Sequence, residues 1–86
     1  MFAQKLRVTV VAGGVETPAP QAWLEQFFMR DFTGSSSFDE TLVEGEGELE
    51  AGFGVSPDAA KAALEKWLRG RKLIAPEAEV VVGPRK

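Results

Sequence analysis

At 86 residues, with 44% hydrophobic and 27% charged residues, the chain has room for one core and belongs with folded globular domains rather than disordered ones. Cysteine, histidine and tyrosine are all absent. That excludes a disulfide framework and a thiolate metal site, and it removes the commonest acid-base group, the best nucleophile and a frequent oxyanion donor. The formal net charge of -3 hides two opposed blocks. Asp31, Asp39, Glu40, Glu44, Glu46, Glu48, Glu50 and Asp58 follow one another with no Lys or Arg between them. From Lys61 onward the sign reverses, with Lys61, Lys66, Arg69, Arg71, Lys72, Arg85 and Lys86 against Glu65, Glu77 and Glu79. Blocks of one sign steer encounters and select partners, and carry no reaction chemistry of their own.

In chain order, Lys5 to Ala12 alternates, with Leu6, Val8, Val10 and Ala12 on one side and Lys5, Arg7, Thr9 and Val11 on the other, as a half-buried strand does. Its apolar run stops at Gly13 and Gly14, too short for a signal peptide or a membrane span, and a small domain without cysteine is expected to be cytoplasmic. A glycine loop then leads to a helix capped by Thr17 and opened by Pro18 or Pro20. On that helix Trp23, Leu24, Phe27, Phe28 and Phe32 recur at helical spacing, and it is expected to end near Thr33 and Gly34. Gly34 to Ser37 is a short connector.

From Phe38 to Val55 the period returns to two, with Val43, Leu49, Ala51, Phe53 and Val55 on one parity and the acids on the other. A strand that long is exceptional, and Gly45, Glu46 and Gly47 are the natural place to fold it into a hairpin. Ser56 and Pro57 then read as a cap and first-turn pair, with Asp58 favourable beside the positive helix end. The second helix carries Ala60, Ala63, Leu64, Trp67 and Leu68 on its apolar stripe and runs to about Arg69. Gly70 is expected to terminate it in a left-handed conformation. A last strand is expected from Glu77 to Val82.

The expected fold class is α+β: strand, helix, strand, strand, helix, strand, giving a four-stranded antiparallel sheet with both helices on one face in a single domain spanning residues 1–86. This order resembles the β-α-β-β-α-β sandwich of ferredoxin-like small domains. Leu6, Val8, Val10, Leu49, Phe53, Ala78, Val80 and Val82 would form the buried face, beneath Trp23, Phe27, Leu64 and Trp67. On the wet face, Lys5 and Arg7 of a central first strand would lie between acids of the third strand and Glu77 and Glu79 of the last. Acylphosphatases share the topology, but Gly13 to Pro20 holds no counterpart of their glycine-rich anion loop with its arginine. The base-stacking aromatics of RNA-recognition sheets are missing from the first strand as well.

Four groups of residues invite a functional reading. Glu44, Glu46, Glu48 and Glu50 alternate with Gly45, Gly47 and Leu49, a row that suits a basic protein partner or mimicry of a phosphate backbone. The plain alternative is a solvated, charged edge that discourages aggregation. The same acids lack the spacing of a calcium loop, and acids alternating with glycines on an exposed sheet give no general acid-base pair, so neither a metal nor a cofactor is expected. Gly13 and Gly14 ahead of a helix suggest a phosphate loop, but no full glycine motif follows and Pro18 and Pro20 remove two N–H donors.

Arg69, Arg71, Lys72, Arg85 and Lys86 form the alternative, nucleic-acid-facing group, although cations at a helix C-terminus already have a structural reason and the acidic pI of about 4.9 opposes phosphate affinity. Finally, Phe28, Met29 and Phe32 widen the apolar arc of the first helix, and partial exposure there would serve a partner contact or a homodimer. The function expected from these features is a non-enzymatic protein-binding module, a small regulator or inhibitor acting through its acidic β-hairpin on a partner with a basic surface. A viral or mobile-element protein that blocks a host nucleic-acid enzyme would fit that description. A nucleic-acid-binding module, or a self-associating assembly subunit whose sheet edges pair, are the alternatives.

Overall fold

A computed structural model describes residues 4–28, 41–52 and 55–84. It contains β1 (Gln4–Ala12), β2 (Val15–Pro18), α1 (Gln21–Gln26), β3 (Thr41–Gly45), β4 (Glu48–Ala51), α2 (Pro57–Gly70) and β5 (Glu79–Pro84). Among the described residues all pairings are antiparallel, and the sheet has five strands rather than the expected four.

The extra strand comes from the segment read as a loop and helix opening. Gly13 and Gly14 both have positive φ, 58° and 79°, and Ala12 faces Val15 across them. A two-residue turn of that kind matches the right-handed twist of its flanking strands, so the chain doubles back as a hairpin. Thr17 is therefore a strand residue opposite Val10, not a helix cap. The helix begins at Gln21, after Pro20, whose carbonyl accepts the N–H groups of Trp23 and Leu24.

β1 is the organising strand. On one side it pairs with β5 from Leu6 to Val11; on the other, its first half pairs with β4 and its second half with β2. The two partners on that second side meet end to end at Val8. The Val8 N–H donates to the Gly47 carbonyl at 2.7 Å, the Val8 carbonyl accepts the Ala19 N–H at 3.0 Å, and the Gly47 N–H donates to the Ala19 carbonyl at 2.7 Å. Gly47 has φ 67°, and a Cβ placed there would stand 2.8 Å from both the Pro18 Cβ and the Val8 carbonyl oxygen. Only glycine fits this junction.

The hairpin β3–β4 turns at Glu46 and Gly47 as expected, with an irregularity between Val43 and Gly45. Its parity is also as expected: Val43, Leu49 and Ala51 face the core while Leu42 is exposed. Phe53 lies outside the described residues.

Helix α2 starts as its sequence dictates. Ser56 caps it, accepting the Ala59 N–H on Oγ, with Pro57 in the first turn and Asp58 beside the positive end. Its far end differs from expectation. Gly70 stays helical, and the left-handed residue is Lys72, with φ 58°. The Leu73 N–H donates to the Leu68 carbonyl and the Lys72 N–H to the Arg69 carbonyl, the paired bonds of a Schellman cap with lysine in the place glycine usually takes.

The core lies between one face of the sheet and both helices. Leu6, Val8, Leu49, Ala51 and Val80 of the strands pack with Leu24 and Phe27 of the α1 region and with Ala60, Leu64 and Leu68 of α2. Complete burial of Leu24, Leu64 and Leu68 stabilises the fold by about 1.5 to 3 kcal/mol per side chain. Trp23 and Trp67 are half-buried at the margin rather than central.

Candidate functional site: the acidic outer face

The sheet face opposite the helices carries the charged positions of β1 and β4. The register sets Lys5 against Glu50 and Arg7 against Glu48, and the Lys5 Nζ lies 3.9 Å from the Glu50 Oε1. Such cross-strand pairs contribute about 0.2 to 1 kcal/mol each and help fix register, so Glu48 and Glu50 are in part structural. The other half of the expected sandwich of charge does not form. β5 starts at Glu79, two residues later than expected, and Glu79 faces Val11, while Gly83 faces Arg7.

Glu46 sits at the tip of the β3–β4 turn and Glu44 in the irregular step before it, both exposed. The row of four glutamates is thus divided: two acids beside the cations of β1, two projecting at the turn. A fifth acid joins them. Glu16, which the residue pattern alone left unassigned, is carried onto this face by β2, opposite Val11. Arg7, Thr9, Glu16, Pro18, Glu46 and Glu48 surround an open hollow of about 460 Å³. The Gly13–Gly14 pair directly after the alternating run of β1 was the signal that could have placed Glu16 here.

Chemically the hollow is one guanidinium and one hydroxyl among three carboxylates, suited to cationic groups of another molecule. Among the described residues no group of three or more Asp, Glu, His or Cys side chains is placed to hold a metal ion.

The basic block has a different fate. Glu65 gathers its cations: Arg69 Nη1 donates to Glu65 Oε1 at 2.8 Å, and Lys61 Nζ donates to Oε2 at 3.2 Å. The same Oε2 accepts the Val80 N–H at 3.0 Å, while Arg69 Nη2 donates to the Ala78 carbonyl at 2.8 Å. These bonds fill backbone positions at the start of β5 that β1 leaves open, and so blunt part of that sheet edge. The Val80 N–H, more than the neighbouring Lys61 and Arg69 charges, holds the Glu65 carboxyl below its ordinary pKa, against the opposing effect of partial burial. Arg71 lies over the Trp67 ring, 4.6 Å from its centroid. Of the alternative nucleic-acid group, Arg69 and Arg71 are therefore engaged within the fold, Lys72 is exposed, and Arg85 and Lys86 lie outside the described residues.

The aromatic contact surface is also changed. Of Phe28, Met29 and Phe32, one of which was expected to be partly exposed, Phe28 is buried, 7% accessible, with its ring 4.8 Å from Phe27 in an edge-on arrangement. Met29 and Phe32 lie outside the described residues. Among the described residues no helix is long and apolar enough to cross a membrane. Comparison with protein-family models, curated proteins and solved structures finds no match.

Proposed function

We propose that the chain is a non-enzymatic protein-binding module that engages a basic surface of its partner through the acidic outer face, acting as a small regulator or inhibitor. The observation that carries this reading is the junction of Val8, Gly47 and Ala19. It ties the β3–β4 turn to β1 and to the end of β2 through three backbone hydrogen bonds, so Glu16, Glu46 and Glu48 are held around one hollow before any partner arrives. Preorganised charge costs less ordering on binding than charge on a free loop, and it favours fast, salt-sensitive association.

In this reading the strands β5, β1, β4 and β3 with the two helices are a ferredoxin-like sandwich, and the β2 arm is an insertion that completes the acidic face. Glu16, Glu46 and Glu48 around the hollow, with Glu44 beside them at the turn, are the contact residues; Glu48 also faces Arg7, and Glu50 serves mainly to seat Lys5.

The test is capture from the lysate of the native host at low and high salt, comparing wild type with the Glu16→Lys, Glu44→Lys, Glu46→Lys triple variant. A protein held only by wild type and released by salt is the expected result. Equal capture by both forms would remove the acidic face from the account.

A further inference from the structure

At the end of the sheet where β1 turns into β2, no described residue covers the helix-facing side. Val10, Ala12 and Thr17 of that hairpin, Trp23 of α1, and Leu73 and Ile74 of the loop after α2 line a groove of about 290 Å³. Val15, directly across from Ala12 and so on the same face, is 63% exposed, and Leu73 is 39% exposed. The same loop residues Leu73, Ile74 and Ala75 border a second, open hollow of about 670 Å³ whose charged members are Arg69 and Lys72. Among the described residues, no acidic side chain lines either hollow.

Two features select the occupant. The groove is at the small end of the range for ligand pockets, so it takes one or two large side chains rather than a cofactor. Its neighbour is cationic, and the lysine there stands where the backbone favours glycine: Lys72 holds φ 58° at the helix cap. Lys72 thus occupies a left-handed position that glycine would fill without strain, and its side chain is exposed beside the hollow. We propose that this groove docks an acidic peptide segment of a partner protein, with a leucine or aromatic side chain seated between Trp23 and Ile74 and flanking carboxylates directed to Lys72. The molecule would then have two docking surfaces of opposite charge preference, the acidic sheet face and this apolar groove with Lys72 in the adjoining hollow, each able to fail without the other.

The test is selection of peptides from a displayed random library against the full chain, followed by titration with amide chemical-shift mapping. The enriched peptides should combine a large apolar residue with several acids and shift the amides of Ala12, Thr17 and Ile74. Lys72→Glu should weaken them by roughly tenfold and favour their lysine-substituted counterparts. Ala12→Trp, at an exposed site, should fill the groove and abolish binding, whereas Glu16→Lys with Glu46→Lys should leave it intact. The proposal is overturned by the absence of enriched peptides, by basic or uncharged consensus sequences, by indifference to Lys72→Glu and Ala12→Trp, or by occupation of the groove through self-association.

Discussion

The β3–β4 turn and the C-terminal end of α2 are the two charged regions of this molecule, and the fold treats them in opposite ways. At the turn, backbone groups make the structural contacts, through Gly47, and the side chains of Glu46 and Glu44 are left exposed. At the helix end, side chains make them: Glu65 joins Lys61, Arg69 and the Val80 N–H, and Arg69 continues to the Ala78 carbonyl. Two blocks that look symmetrical along the chain differ in availability: Lys61 and Arg69 bond Glu65 and the Ala78 carbonyl beside a strand edge, while Glu44 and Glu46 stay exposed at the glycine turn. Net charge per segment therefore overstates the basic surface and understates the acidic one.

Gly47 is the position where substitution should cost the most. Gly47→Ala should destabilise the protein by about 2 to 4 kcal/mol, combining a left-handed backbone with contact against Val8 and Pro18. Gly45→Ala, which meets open space, should cost less than about 1 kcal/mol by urea denaturation. Similar losses at both sites would show that the junction is not what holds the turn.

At the helix end, Glu65→Ala should cost about 1 to 3 kcal/mol by leaving the Val80 N–H without its acceptor. Glu65 also gives a pH signature. Its folded pKa is lowered, so its contribution is complete above the ordinary value of 4.5 and is lost as the pH falls through the folded value. Urea midpoints measured across that acid range should fall less steeply in Glu65→Gln than in wild type. Parallel curves would remove Glu65 from the acid response. A smaller effect of opposite sign is expected at the cap: Lys72→Gly should raise stability by about 0.5 to 1 kcal/mol, since glycine adopts φ 58° without strain. A loss of stability there would mean that the Lys72 side chain itself supports the fold.

Much of this was legible in the residues because it depends on local signals. Ser56, Pro57 and Asp58 specify the start of α2, and the odd-even parity of Val43, Leu49 and Ala51 against the glutamates specifies the hairpin and its inner face. The arm β2 was missed because its four residues are all exposed and so show no alternation, and because Pro18 and Pro20 together read as a helix opening. Placement of Glu16 in the acidic face depended on that arm. Gly70 was the obvious terminator of α2, but the Schellman bonds fall two residues later, where sequence preference gives no hint of a left-handed lysine. The late start of β5 is a matter of register across β1, which Glu65 and Arg69 fix from α2; no pattern within residues 77–82 encodes it.

The asymmetry between the two charged regions is tested most directly by one paired set of urea denaturation curves, Glu16→Gln with Glu46→Gln against Arg69→Met. The acidic pair should leave stability within about 0.5 kcal/mol of wild type, as exposed side chains outside structural networks do. Arg69→Met should cost about 1 to 2 kcal/mol through its bonds to Glu65 and the Ala78 carbonyl. If the acidic pair costs as much as Arg69→Met, those carboxylates belong to the scaffold, and the outer face is not a surface held ready for a partner.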